Sequence, residues 1–217
     1  MTGLPFRNRS EAGQQLAAEL GQQKLPSNTV VLALPRGGVP VGFAIAHTLH
    51  LPLDVIVARK LGVPWQPELA MGAIAGQSMA LDEELIRDLH ISRKDVDAVI
   101  SREGAELERR EKLYRGGRPA CDLNGRSVVL VDDGLATGST MLAAARCVRN
   151  LAPASLRIAV PVGSREACQL VKSECEECVC LALPRPFGSV GQWYEDFRQV
   201  SDAEVTNLLE QRRRQAV

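Results

Sequence analysis

Val128-Val129-Leu130-Val131-Asp132-Asp133-Gly134-Leu135-Ala136-Thr137-Gly138-Ser139-Thr140 is the stretch that decides the fold. Ser127 to Val131 is a short apolar, β-branched run that reads as a buried strand. It delivers two carboxylates to its tip. A turn with two glycines and three hydroxyls follows, and then a helix from Ser139 to about Asn150, with Met141, Ala144, Val148 and Leu151 as its inner stripe. Glycines let backbone N–H groups converge on an anion, and a helix N-terminus adds free donors and partial positive charge. The turn therefore reads as a cradle for a phosphate monoester. Acids repel a phosphate, so Asp132 and Asp133 need another partner. Sugar hydroxyls, which donate to carboxylates, supply one. No Lys follows the last glycine, which excludes a Walker loop, and the GxGxxG dinucleotide fingerprint is absent.

Working outward, strands and helices alternate. A helix is expected from Ser10, as cap, to about Gln22. Thr29–Leu34 and Leu53–Ala58 read as buried strands around a helix at Val39–Leu49, and the loop Pro35-Arg36-Gly37-Gly38 follows the first of them. Two further strands, Ser155–Val160 and Glu177–Ala182, flank a helix from Ser164 to about Ser173. This order implies an α/β fold with a mainly parallel five-stranded sheet and helices on both faces. Ligands in such sheets bind beyond the carboxyl ends of the strands, where the loops after Leu34, Ala58 and Val131 should gather. Residues 61–80 carry Gly62, Pro64, Pro67, Gly72 and Gly76, which suggests a mobile loop with a small hairpin around Met71–Leu81. From Asp82 to Arg115 the chain is charged and helical, with Ser92 as cap and Asp95 at the capping-box position. Its acids, Glu103, Glu106, Glu108 and Glu111, read as a solvated face. A last helix starts at Ser201. One domain is expected over 1–217: a core of about 28–183, an insertion at 82–115, and a small hood from 1–27 and 184–217.

The composition is that of a globular protein: 217 residues, 45% hydrophobic and 24% charged. Lys plus Arg equals Asp plus Glu at 26 each, which argues against a nucleic-acid partner. Arg212-Arg213-Arg214 sits where a helix C-terminus favours cations anyway. The first residues lack an apolar signal region and no stretch is long enough for a bilayer, so a cytoplasmic protein without membrane contact is expected. Cys175-Glu-Glu-Cys178 has the spacing of half a zinc knuckle and Cys180 adds a sulfur. No second pair completes it, and 179–182 reads as a buried strand, so no zinc is expected.

Residues 128–140 resemble the signature of type I phosphoribosyltransferases, and Val-Asp-Asp-Gly-Leu-Ala-Thr-Gly-Ser-Thr-Met is especially similar to the adenine phosphoribosyltransferase version. Leu34-Pro35-Arg36-Gly37-Gly38 resembles that family's pyrophosphate loop, and Val57-Ala58-Arg59-Lys60 the basic end of its second strand. The segments 58–64, 67–74 and 190–197 are similar to a bacterial subgroup of predicted phosphoribosyltransferases. The resemblance implies the type I phosphoribosyltransferase fold and binding of 5-phosphoribosyl-1-pyrophosphate. Asp132 and Asp133 would hold the ribose hydroxyls. Gly134, Leu135, Ala136, Thr137, Gly138, Ser139 and Thr140 would surround the 5-phosphate. Arg36, Gly37, Gly38, Arg59 and Lys60 would hold the diphosphate.

Magnesium would travel with the diphosphate and ribose oxygens, with no metal ligands from the chain itself. The acceptor is an unidentified nitrogenous, nucleobase-like compound. A homodimer is expected by resemblance. The hypoxanthine-guanine branch places an Asp where this chain has Ala136, which speaks against that branch; the adenine branch uses a mobile-loop acid. Glu68 is the acid between Lys60 and Asp82, so it is the candidate for proton transfer, against the alternative of a plain surface carboxylate. Trp193 and Tyr194, with Phe187, either stack on the acceptor or anchor the tail to the core. An enzyme and a non-catalytic sensor of the same ribosyl compound both remain open.

Overall fold

The computed structural model describes residues 3–76 and 78–215, with the side chain of Glu68 also outside the described set. Five strands form a parallel sheet: β1 (Val30–Ala33), β2 (Leu53–Val55), β6 (Ser127–Val131), β7 (Ser155–Val162) and β8 (Glu177–Ala182), in the order β2-β1-β6-β7-β8. Three more, β3 (Ala58–Val63), β4 (Gln66–Ala75) and β5 (Ser78–Leu81), form a separate antiparallel sheet. The helices are α1 (Arg9–Gln22), α2 (Gly38–Thr48), α3 (Glu83–Asp88), α4 (Arg93–Arg115), α5 (Ser139–Arg149), α6 (Arg165–Val171) and α7 (Asp202–Gln215).

Residue alternation along the central strands builds two cores. Val31 and Ala33 of β1, with Val129 and Val131 of β6, face α1, α2 and α7. Val30 and Leu32, with Val128 and Leu130, face α5 and α6. The four β6 side chains are at most 1% exposed, and each contributes about 1.5–3 kcal/mol by burial. The strand is thereby fixed in depth and direction, and its polar tip with it. Register pairs Ala33 with Val131, so β1 and β6 end level and their loops leave side by side. The Leu34 amide donates to the Val131 carbonyl at 2.9 Å and seals that corner.

The five-stranded parallel sheet agrees with the sequence expectation, and four readings are corrected. The first helix is capped by Asn8, whose side chain accepts from the Glu11 amide, rather than by Ser10. The second strand stops at Val55. The chain then leaves the main sheet, and Ala58 opens β3 in the other one. Within 61–80 the described residues form antiparallel strands with a tight turn at 64–65, rather than a mobile loop. Their glycines serve close strand contact: a Cβ on Gly62 would stand 2.5 Å from the Pro67 carbonyl, and one on Gly72 2.6 Å from that of Ala80. The expected hairpin is β4–β5; Gln77, between the two strands in sequence, lies outside the described residues.

The charged insertion is two helices, α3 and α4. Ser92 caps α4, accepting from the Asp95 amide at 3.2 Å. Its acids are more than a solvated face. Glu103 binds Arg59, and Glu111 binds Arg115, whose buried guanidinium also reaches Asp54 and the Val55 carbonyl. Glu111 and Arg115 are an i,i+4 pair, but sequence pattern cannot show the contacts to Arg59 and Asp54, which lie far away along the chain. No helix among the described residues is long and apolar enough to cross a membrane.

Candidate functional site: an acid pair beside an open anion cradle

The cradle forms where β6 hands over to α5. Leu135 is buried and donates its amide to the Val162 carbonyl at 2.9 Å, which ties the loop to β7. Gly138 has φ +78°, a left-handed conformation that glycine adopts without steric cost, and it turns the chain into α5. Ala136, Thr137, Ser139 and Thr140 are exposed. The first intrahelical bond runs from Leu142 N–H to the Gly138 carbonyl at 2.8 Å, and Gly138 provides no side-chain cap. The amides of Thr140 and Met141 thus precede the first carbonyl that can accept within the helix. The Ser139 amide has a long 3.4 Å contact to Thr137 Oγ1. An anion resting here meets amide donors, hydroxyls and the positive end of an eleven-residue helix.

Ser164 supports the loop from behind. Its hydroxyl donates to the Ala136 carbonyl at 2.8 Å and accepts from the Ala167 amide at 3.0 Å, capping α6. The sequence marked Ser164 only as a helix start; its bond to the loop depends on β7 lying beside β6.

The acids stand at the β6 tip. Asp132 Oδ1 accepts from the Asp133 amide at 2.8 Å. Asp133 Oδ2 accepts from Arg9 Nε at 2.8 Å, and the Asp133 carbonyl accepts from the Tyr194 hydroxyl at 2.7 Å. Burial pushes the Asp132 carboxyl well above the usual carboxylate range, and the adjacent Asp133 charge adds to this. Burial also raises Asp133, while the charge and hydrogen bond of Arg9 act in the opposite direction. Burial, followed by the Asp133 charge, raises the Tyr194 phenol, so it stays protonated as a donor.

The loop after β1 packs directly on the acids. A Cβ on Gly37 would lie 1.9 Å from Asp133 Oδ2, and one on Gly38 would lie 2.7 Å from the Val131 carbonyl oxygen. Only glycine allows that approach. Arg36 stands at the rim, with Nη1 4.0 Å from Asp202 at the start of α7. Tyr114 of α4 donates to the same Asp202 carboxylate at 2.7 Å. Loop, insertion and C-terminal helix therefore converge behind Arg36.

Arg59 and Lys60 do not close the main sheet, because they belong to β3. Arg59 Nε bonds Glu103 at 2.9 Å. Both residues line a cavity of about 590 Å³ between the small sheet and α5, together with Gly72, Asp82, Ser139 and Arg146. This cavity meets the cradle at Ser139 and Thr140, while the acids and the glycine loop lie outside its lining. Glu68 falls within β4, and its side chain lies outside the described residues.

In the tail, Tyr194 is 6% exposed and packs on Phe6 and Phe197 at ring distances of 5.6 and 5.1 Å. Its ring and hydroxyl anchor the tail to the N-terminal segment and the acid loop. Trp193 stacks with Phe187 at 6.5 Å. Cys175, Cys178 and Cys180 are free thiols, and no group of three or more metal-ligating side chains is gathered among the described residues.

Fold and site define the class: a parallel-sheet α/β domain with an open anion cradle beside a half-buried acid pair. Residues 65–188, more than half of the chain, match the model of the phosphoribosyl transferase domain family. Two curated proteins from two strains of Mycobacterium tuberculosis, each named "putative phosphoribosyl transferase", are 44% identical over 96% of this chain. The chain spans about half the length of these relatives, 47%. The crystal structure of the Thermus thermophilus protein TT1426 is 40% identical, with a TM-score of 0.87, over 95% of this chain and 98% of that one. A hypothetical protein from Neisseria gonorrhoeae, solved with bound ppGpp, shares the fold at 11% identity and a TM-score of 0.51, over 94% and 92% of the two chains. The chain belongs to the phosphoribosyl transferase domain family.

Proposed function

We propose that this domain transfers the 5-phosphoribosyl group from 5-phosphoribosyl-1-pyrophosphate to a nitrogenous, nucleobase-like acceptor and releases pyrophosphate. The observation that carries the reading is the exposed loop 136–140 at the α5 N-terminus, one turn beyond Asp132 and Asp133. That spacing suits a ribose 5-phosphate, with phosphate on the amides and hydroxyls donating to the acids. Arg36 and the Gly37–Gly38 backbone lie on the neighbouring loop, where the diphosphate on the same sugar would extend. Arg59 and Lys60 line the adjoining cavity, and for Arg59 to meet the diphosphate it would exchange Glu103 for phosphate oxygen.

In the reaction, the acceptor nitrogen bonds to the ribose C1 as the bond from C1 to the diphosphate oxygen breaks, and the electron pair leaves with pyrophosphate. The nitrogen's proton passes to a base, for which Glu68 is the candidate. Closure of the β3–β5 sheet excludes water, which would otherwise take the sugar. Magnesium fits this donor set only as a cargo of the substrate. Among the described residues no third ligand joins the two adjacent acids, so its oxygens would come from diphosphate, ribose and water. When bound, it stabilises charge on the departing diphosphate. Asp132 and Asp133 act as hydroxyl acceptors.

A panel of nucleobases incubated with the ribosyl diphosphate and magnesium should yield one new nucleotide and pyrophosphate, read by mass spectrometry. Asp132→Asn combined with Asp133→Asn should abolish binding of the ribosyl diphosphate in calorimetry while the fold survives. Unchanged affinity in that variant would refute the site assignment. Binding without turnover for every acceptor would select the alternative, a non-catalytic sensor of the ribosyl compound.

A further inference from the structure

We propose that Arg9, brought by the first helix from 124 positions away along the chain, is a positioning residue for the ribose-binding acids. It pins the Asp133 carboxylate against Gly37 and places a positive charge directly beside the acid pair. The inference rests on the function proposed above and names a group outside every motif that led to it.

The geometry is specific. Arg9 Nε donates to Asp133 Oδ2 at 2.8 Å and Nη1 donates to the Arg198 carbonyl at 2.9 Å. Its guanidinium carbon lies 3.9 Å from the centre of the Phe197 ring and 5.9 Å from that of Tyr194. The side chain is only 10% exposed. Two directional bonds and an aromatic floor leave the guanidinium one orientation, which a flexible ammonium would not keep. The hood is fixed in turn by the Phe6 amide on the Trp193 carbonyl and the Glu195 amide on the Phe6 carbonyl, both at 2.8 Å. Both ends of the chain thus close on the acid pair through one side chain.

Among the described residues, the other cations near the pair are engaged with other carboxylates. The loop after β1 brings Arg36, which turns to Asp202 on α7. The tail brings Tyr194, a neutral donor, and Arg198, which is paired with Asp196 and Glu204. Two adjacent buried carboxyls without a cation share charge poorly, and one of them takes a proton. A protonated acid can still accept a hydrogen bond, but it no longer draws ribose hydroxyls with a full charge. Arg9 also holds the carboxylate where Gly37 needs it, so it aligns the acid pair with the diphosphate loop.

The test compares the full chain with its Arg9→Gln and Arg9→Lys variants. Without ligand, carboxyl-carbon NMR should show the acid pair titrating at higher pH in Arg9→Gln than in wild type. Arg9→Lys, which keeps the charge but not the two directional bonds, should fall between the two. Calorimetry with 5-phosphoribosyl-1-pyrophosphate should then show about a tenfold or greater loss of affinity for Arg9→Gln at neutral pH, recovering as pH rises. The wild-type affinity should change less over the same range. An acid-pair titration identical in wild type and Arg9→Gln overturns the inference, as does an affinity loss that is the same at every pH.

A wild type that binds no ribosyl diphosphate overturns the proposed function instead, and the ligand-free titration still decides the role of Arg9. If Arg9→Gln does not fold, the wild-type Arg9 Nε–H resonance serves in its place. Through a 2.8 Å bond it must follow the Asp133 titration, and a resonance indifferent to pH sinks the idea.

Discussion

Gly38→Ala offers the sharpest check on how the two loops are assembled. The new Cβ would lie 2.7 Å from the Val131 carbonyl oxygen and 2.9 Å from the Asp132 Cα, both backbone atoms at the β6 tip. Ordinary contact begins near 3.4 Å, so the gap must open by 0.7 Å (3.4 − 2.7) at the oxygen and 0.5 Å (3.4 − 2.9) at the Cα. The β6 tip cannot yield, since it is paired with β1 on one side and β7 on the other. The α2 N-terminus must move instead, and it carries Arg36 and Gly37 along. Overpacking of this kind costs about 1–3 kcal/mol, or a fall in Tm of roughly 2–12 °C for a chain of this size. A displacement approaching 1 Å in a substrate-holding loop costs on the order of tenfold to a hundredfold in affinity or rate.

Differential scanning fluorimetry and calorimetry with the ribosyl diphosphate read the two effects. Gly104→Ala is the matched control. Gly104 lies inside α4 with nothing within 4 Å of its added Cβ, so alanine should stabilise by about 0.8–1 kcal/mol through helix propensity alone. If Gly38→Ala matched wild type in both Tm and affinity, the close apposition of the two loops would be wrong.

Two further outcomes follow from the same geometry. Asp132 has a folded-state pKa raised by burial, so its contribution to stability is present below its unfolded value and is lost as pH rises through the folded one. Asp132→Asn should therefore raise Tm at neutral pH, with the gain vanishing below about pH 4, the unperturbed Asp value. A lower Tm at neutral pH would contradict the buried-acid account. Ser164→Ala removes both the α6 cap and the bond to the Ala136 carbonyl, and should cost about 1 kcal/mol in urea unfolding while weakening binding of the phosphorylated sugar. Full retention of affinity would show that the loop holds its shape without that support.

Sequence by itself determined the five strands of the parallel sheet, their order along the chain and the cradle. A run of β-branched residues ending in Asp-Asp, with glycines and hydroxyls just beyond, has few physical uses, and each part of its chemistry is local. The loop at 36–38 was legible for the same reason, since its two glycines signal close backbone approach before the neighbour is known. The tertiary structure decided what depends on distant partners.

Arg9 meets Asp133 across 124 positions, with no periodicity linking them. The charged face of α4 looked solvated until β3 brought Arg59 to Glu103. Residues 61–80 looked like a loop because glycine and proline break isolated strands. Here β4 lies between β3 and β5, and the glycines let their backbones approach. Tyr194, one of a cluster of aromatics in the tail, became an anchor only when its hydroxyl found the Asp133 carbonyl. Local chemistry is written in neighbouring residues, whereas charge pairing and burial are properties of what the fold places opposite them.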